Sequence, residues 1–415
     1  MQTTASASDA RSDARRVVTW RDLLLAGGGT LSALIYFVAV PRAIVGGAEP
    51  TAVARSLVAN GAFADPFIAT GATGPTAHLA PLFPLLLAFF FLVLGKAAVF
   101  GEIIAVCAAH GIHAALLPRI SEVLFGYARP GTIAAVCTIS LPVYLVEPVW
   151  ENMYAATAVV AFCLLARQPG GAGNGAWCGI AAGLLALVNP SLVSIVICWL
   201  GYALWTSRPG FRRSLRFSAA FGAACVLVLL PWEIRNYRQL GGVTFVRDNL
   251  GMELYAANND CAQPSLIENL ANGCQARMHP IFSASEMADV KRLGELQYNR
   301  DRQRRAQAWI SLHPQRFREL VVQRMRIFWF PPESVWIDGI TWLSLAGLAL
   351  AFRRRPQTAW FAVAVFAVYP LTYYVVQVST RFRFPVLWIS LLLAGYVLDL
   401  AWGRLAVRAN LGFKL

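Results

Sequence analysis

Charge is scarce in this chain. Asp, Glu, Lys and Arg together make up 14% of its 415 residues, hydrophobic residues make up 57%, and the mean hydropathy is +0.53. That balance excludes a soluble multidomain protein and points to a polytopic membrane chain. Acid is the scarcer sign, with 22 acidic against 36 basic residues and a net charge of +14. Seventeen of the basic residues lie in short segments assigned to the cytoplasm and fourteen in one long polar loop. The positive-inside rule accounts for that excess, so a nucleic-acid partner is not expected. The eight cysteines and five histidines contain no Cys-x-x-Cys pair and no Cys/His spacing suited to a metal. Cys107, Cys137, Cys163, Cys178, Cys198 and Cys225 fall in apolar segments and read as small buried hydrophobes. No apolar run precedes Leu23, so residues 1–21 show no cleavable leader and read as a cytoplasmic tail.

Apolar runs cover 22–41, 81–95, 98–118, 131–146, 150–166, 177–189, 191–206, 217–231, 334–352, 357–376 and 384–402. Basic clusters at Arg11–Arg21, Arg119 and Arg129, Arg208–Arg216, Arg353–Arg355 and Arg404–Lys414 put both termini and three loops in the cytoplasm. Parity then requires 81–95 to begin and end on the outer side. This run is short of the roughly 20 residues a spanning helix needs, so it reads as a re-entrant or interfacial helix. The expectation is an all-α fold of about ten transmembrane helices plus this helix. The segments are a tail (1–21), a membrane core (22–231) with a first external loop (42–97), a long external loop (232–330), and C-terminal membrane helices (331–415).

The outer side collects Glu49, Glu147, Glu151, the 232–330 loop and the turn Ser379-Thr-Arg-Phe-Arg-Phe-Pro385. Within the long loop, Ser283 and Glu286 have capping-box spacing ahead of a charged helix to about Leu312. From Pro314, apolar residues recur at three- and four-residue steps through Trp329, which reads as an amphipathic helix lying on the membrane. Cys261 and Cys274 flank turn-rich sequence in the oxidising compartment and are expected to pair. A loop of that size stabilises by about 3 kcal/mol in the chain-entropy model.

Three stretches carry a family likeness. An acid stands just outside the first span in Gly46-Gly-Ala-Glu-Pro-Thr51. A Gly-Phe turn near Phe63 is followed by Pro75-Thr-Ala-His-Leu-Ala-Pro-Leu-Phe-Pro84. Pro231-Trp-Glu-Ile-Arg-Asn-Tyr237 leads to Gly251-Met-Glu-Leu254 and Asn258. Together they resemble the GT-C class of polyprenyl-phosphate-sugar glycosyltransferases, in particular the bacterial protein mannosyltransferase-like members of glycosyltransferase family 39. The resemblance implies that Glu49 is the catalytic base. The family often carries a second acid beside the first, and here that neighbour is Ala48. The resemblance also implies acceptor- or metal-proximal roles for Glu147 and Glu151, and phosphate contacts for His78 and for the Arg-x-Arg-x-Pro of Arg381 and Arg383. Arg55 is expected to face the same site, and Asp65 lies just beyond the turn. A divalent metal is admitted but not required.

Each residue also has a plainer reading. Glu49 can cap a helix that has Pro50 at its first position. His78 can be a neutral interfacial imidazole, and the arginines can snorkel. His110 and His113 read as structural, and His279 and His313 as turn or cap residues before proline. The expected function is transfer of a sugar, with inversion, from a polyprenyl-phosphate donor to an acceptor hydroxyl outside a bacterial inner membrane. A transporter or flippase of lipid-linked sugars, or a non-catalytic partner, is the alternative. No inverted repeat favours it.

Overall fold

In the computed structural model the described residues are 18–40, 47–67, 71–141, 145 and 151–412, with side chains to 403. Among them the chain is helical, and β structure is limited to two isolated bridges. Six helical stretches are long and apolar enough to cross a membrane: Trp20–Ala39, Leu82–Phe125, Phe211–Leu240, Val335–Arg354, Pro356–Val375 and Thr380–Gly403. Three shorter apolar helices, Asn152–Leu165, Ala172–Val188 and Leu192–Ser207, accompany them. This is a multi-pass membrane protein.

In chain order the first nine helices are α1 (Trp20–Ala39), α2 (Ala48–Asn60), α3 (Leu82–Leu94), α4 (Ala98–Phe125), α5 (Arg129–Ser140), α6 (Asn152–Leu165), α7 (Ala172–Val188), α8 (Leu192–Ser207) and α9 (Phe211–Leu240). Glycines let these helices approach closely. A Cβ at Gly111 of α4 would stand 2.2 Å from the Ala26 carbonyl of α1, and one at Gly179 of α7 would stand 2.2 Å from the Phe221 carbonyl of α9. Membrane helices pack this way because apolar surface alone gains nothing against lipid tails.

α3 has 13 residues, about 20 Å of helix. It folds back onto the start of α4 through a 3-10 turn at Gly95–Ala97, so a Cβ at Gly101 would meet Leu94 and Phe90. The run expected at 131–146 is helical only to Ser140, and Glu147 lies outside the described residues. The expected boundary at 231 falls inside α9, which runs through Pro231 to Leu240.

The long loop folds into α10 (Leu250–Ala257), α11 (Leu266–Ala271), α12 (Cys274–Met278), α13 (Ala284–Leu293), α14 (Glu295–Leu312) and α15 (Pro314–Trp329). Ser283 caps α13 as its spacing suggests, accepting from the Glu286 N–H. The charged helix expected to reach Leu312 is broken at Gly294, whose φ of 74° is left-handed. α15 is less simply amphipathic than its sequence suggests. Arg324 is buried, and its guanidinium donates to Asn258 Oδ1 at 3.1 Å, the Val375 carbonyl at 2.9 Å and the Ala257 carbonyl. α16 (Val335–Arg354), α17 (Pro356–Val368), α18 (Leu371–Val375) and α19 (Phe384–Gly412) complete the chain.

Candidate active site

The site begins at α2. Gly47 adopts φ 65°, which turns the chain into the helix and puts Glu49 in its first turn. There a carboxylate faces unsatisfied backbone N–H groups. Gly61 (φ 66°) closes the helix, and the chain returns through a narrow loop. The Asp65 N–H donates to the Gly74 carbonyl and the Thr76 N–H to the Phe63 carbonyl, each at 3.1 Å. Asp65 Oδ1 accepts the Thr73 and Gly74 N–H groups, both at 2.8 Å. This return brings His78 back over Glu49.

The segment Trp232-Glu-Ile-Arg-Asn236 latches that loop. Arg235 donates to the Thr76 carbonyl at 2.5 Å and to the Phe63 carbonyl at 2.6 Å. Trp232 Nε1 donates to the Val246 carbonyl at 2.6 Å, and Glu233 accepts the Val246 N–H at 2.7 Å. From α14, Glu295 accepts the Thr76 hydroxyl and, at 2.7 Å, the Ala77 N–H. Burial lifts Glu295 to about 7 against the pull of those donors and of His78. Phe67 inserts into the small core made by Met252, Met287, Val290 and Tyr298. The first loop and the long loop are therefore one packed unit. The motif at 231–237 acts here through backbone contacts to the loop carrying His78.

At the centre, Glu49 Oε1 lies 3.5 Å from His78 Nε2 and 3.5 Å from His279 Nε2. The three side chains are 13%, 3% and 5% exposed. The Phe67 ring meets both imidazoles edge-on, at 4.9 and 5.8 Å. Burial alone would raise Glu49. The hydrogen bond and charge of His78, with the charges of His279 and Arg381, outweigh it and hold the carboxyl at about 2. Burial disfavours a charged His78 too, but the hydrogen bond and charge of Glu49 prevail and its pKa is raised. For His279 burial wins over Glu49 and Glu253, and its pKa is lowered.

His279 was read from sequence as a turn residue; it is the third member of the cluster. It caps the C-terminus of α12, some two hundred residues after His78 in the chain. The nearest sequence signal is the Gly251-Met-Glu-Leu254 match, since Glu253 acts on His279. Arg247 also went unremarked. Its charge acts on His78, and its Nε donates to Asn249 Oδ1 at 2.9 Å.

The other expected site residues divide. Arg381, in the 3-10 turn Thr380–Arg383, acts on Glu49. Arg383, in the same turn, is 1% exposed and points into the core. It donates to the Trp329 carbonyl (2.9 Å), Thr341 Oγ1 (2.7 Å) and Ser390 Oγ (3.2 Å), and stacks on Trp329. Arg55 is exposed over the Phe91 ring at 5.7 Å. Six residues along a helix turn a side chain about 120° away from the starting one, so it does not share Glu49's face. Asp65 has its Oδ1 taken by the loop. Glu151 accepts from Asn189 Nδ2 at 3.0 Å, at the junction of α7 and α8.

Glu49, His78 and His279 offer three ligand atoms within 4.8 Å of one another. Their fit to a metal can be tested on His279. The Ile281 N–H donates to His279 Nδ1 at 3.2 Å. Nδ1 is then unprotonated, and in a neutral ring the proton sits on Nε2, facing Glu49. A nitrogen that carries a proton is a donor to the carboxylate and not a metal ligand. The arrangement fits a hydrogen-bonded carboxylate better than an ion site.

No protein-family profile and no curated protein sequence matches this chain. Solved structures do. The oligosaccharyltransferase of Archaeoglobus fulgidus, in complex with Zn and sulfate, matches 92% of this chain at 14% identity and a TM-score of 0.56. ArnT of Cupriavidus metallidurans, bound to undecaprenyl phosphate, matches 88% of this chain and 77% of its own at 14% identity and a TM-score of 0.40. The chain spans 50% of the length of the oligosaccharyltransferase. Matched over nearly its whole length to that membrane arrangement, the chain has the GT-C fold.

Proposed function

We propose that this protein is a membrane glycosyltransferase that takes a sugar from a polyprenyl monophosphate at the outer face of a bacterial inner membrane. The observation that carries this reading is the near-buried Glu49 carboxylate, set between two imidazoles at the head of a helix outside the spans. The GT-C fold and the family resemblance around Glu49 support it. A transporter of lipid-linked sugars has use for the surrounding cations but none for such a carboxylate.

Glu49 takes the proton of the acceptor hydroxyl as its oxygen attacks the anomeric carbon. The bond to the donor phosphate breaks on the opposite side, and a single displacement inverts the sugar. His279 donates its Nε2 proton to Glu49 and holds the carboxylate in one orientation. Arg381 and Arg247 meet the charge that develops on the phosphate, where a fixed cation is worth most. Arg383, Arg55 and Asp65 stay outside this set, because the structure gives them protein partners elsewhere. The acceptor side is assigned to Glu151 through Asn189.

The test is a reconstituted assay that measures release of polyprenyl monophosphate from a panel of its sugar conjugates. Glu49→Gln should lose turnover on every donor that wild type accepts and keep donor binding. Equal turnover in the variant would remove the base and, with it, the enzyme reading.

A further inference from the structure

The disulfide between Cys261 and Cys274 links two of the three segments that act on Glu49, those of His279 and Arg381, while His78 comes from the first loop. On one side, the stapled loop pairs with the strand-like stretch before Arg381. The Val378 N–H donates to the Pro264 carbonyl at 3.1 Å, and the Leu266 N–H to the Val378 carbonyl at 2.9 Å. Asn269 Nδ2 donates to Gln377 Oε1 at 3.2 Å, and Asn258, just before the loop, donates to the Val375 carbonyl at 2.9 Å. On the other side, Cys274 opens α12, which is five residues long and capped by His279. The His279 N–H donates to the Gln275 carbonyl at 3.0 Å. Asn259 ties the staple to the end of α10, accepting the Cys261 N–H and donating to the Tyr255 and Ala256 carbonyls. Cys274 is fully buried, while Cys261 is half-buried.

We propose that this disulfide is a positioning element of the site: it sets His279 against Glu49 and, through the 264–269 segment, fixes the stretch that leads into Arg381. The two sides of the carboxylate are then aligned only while the bond is intact. Arg324 and Asn258 also brace the Val375 carbonyl, but the disulfide is what joins that stretch to α12 and His279. α11 and α12 have six and five residues, too short to be stable alone. The inference rests on the reading of Glu49 as the centre of catalysis, and its test separates the two.

The bond can be opened selectively, because the other six cysteines are free thiols. One dithiothreitol supplies two electrons and two protons, which leaves two thiols and the cyclic oxidised reagent. Hydrogen exchange on the full chain in lipid nanodiscs should then rise in two separated stretches, 262–283 and 376–383, with the α16–α19 pairing unchanged. A small displacement of aligned groups costs up to about a hundredfold in rate, so turnover should fall by about ten- to a hundredfold. The donor KM should move less than kcat, since Arg247 is held by Phe245 and Asn249 and not by the stapled loop. Reoxidation should restore both readouts, and Cys261→Ser with Cys274→Ser should reproduce the reduced state. If exchange rises only within 261–274, or if turnover is unaffected by reduction, the proposal is wrong. If the oxidised protein has no transferase activity, the functional reading fails, and the exchange data still decide the mechanical link.

Discussion

The membrane helices and the part of the molecule outside them are held together by different balances of shape and charge. Between the membrane helices the close contacts are glycine against carbonyl: Gly111 against Ala26, Gly179 against Phe221, Gly347 against Leu393. In the outer half, the part outside the membrane helices, Gly251 meets Asn299 in the same way, but guanidinium groups and carboxylates do most of the bonding. Arg302 is fully buried among Glu286, Asp289 and Asp301, at 2.6–2.7 Å. Arg324 bonds three carbonyls of α10 and α18, and Arg235 clamps two carbonyls of the first loop. The difference follows from what each half must do. Helices in lipid satisfy their own backbone and need only a close fit. The outer half must hold irregular backbone in fixed places around Glu49, and charged donors are what reach irregular carbonyls. Stability among the membrane helices therefore depends more on shape, and outside them more on charge.

The sharpest way to break the comparison is at the centre. Glu49→Gln should lower turnover by about 10²–10⁴-fold, the usual worth of a general base, with donor binding retained. The pH dependence separates chemistry from stability. His78 is raised above its ordinary 6.5, so its charged pairing with Glu49 stabilises fully below 6.5 and is lost as pH rises through the raised value. Glu49 is depressed from 4.5 to about 2, so its contribution is present above 4.5 and lost as pH falls toward 2. Activity should move the other way from the His78 pairing. A carboxylate relieved of its cation is the stronger base, so kcat should rise with pH through a limb above 6.5. In His78→Asn that limb should vanish, which a kcat profile between pH 5.5 and 9 (a range set about the imidazole value) would show.

Next in size is the outer half's framework. Arg302→Met leaves Glu286 without its cation, while Asp289 keeps Arg292 and Asp301 keeps Arg305, and breaking a buried pair costs about 3–5 kcal/mol. Hydrogen exchange in 284–312 should report it, while the α1–α4 contact stays as it was. The counterpart in the membrane half is Gly111→Leu. Overpacking costs about 1–3 kcal/mol, and here the added Cβ meets backbone 2.2 Å away. Its effect should be insensitive to pH, and that of Arg302→Met should not. If both variants gave the same pH dependence, the division of the molecule into shape and charge would fail.

The membrane half was largely legible, because apolar runs and basic clusters report helices and their ends directly. The short run at 81–95 was legible by its length, and it forms the 13-residue α3. In the outer half, legibility stopped at local patterns. Glu49 and His78 are marked by motifs on one loop, and Cys261 and Cys274 by turn-rich flanks. His279 joins them through a fold that runs across α9 to α12, which no local period encodes. Arg55 failed because adjacency in sequence was taken for a shared face, against the helical step of about 100°. α15 misled for a related reason. Its apolar residues do recur at helical steps, but Arg324, which that pattern leaves off the apolar face, is buried against the Val375 and Ala257 carbonyls.

The finest distinction is between two arginines two residues apart. Arg381 and Arg383 share a 3-10 turn and looked alike as phosphate ligands. In the structure one acts on Glu49, and the other is locked to Trp329, Thr341 and Ser390. Lysine keeps the charge and loses the planar fork at both positions. At Arg383 the fork reaches three partners that a single ammonium cannot all meet. Arg383→Lys should therefore cost about 1–3 kcal/mol, the penalty of buried polar groups left unmade, and appear first as a lower unfolding temperature. Arg381 lies over the Phe382 ring and acts on Glu49, so its loss should fall on the reaction. Arg381→Lys should instead cut turnover by about tenfold, or about 1.4 kcal/mol of transition-state contact, with the unfolding temperature unchanged. Measuring both variants for turnover and melting decides the matter. Were Arg383→Lys to melt as wild type and lose turnover, the guanidinium would belong to the reaction and the framework would have to stand without it.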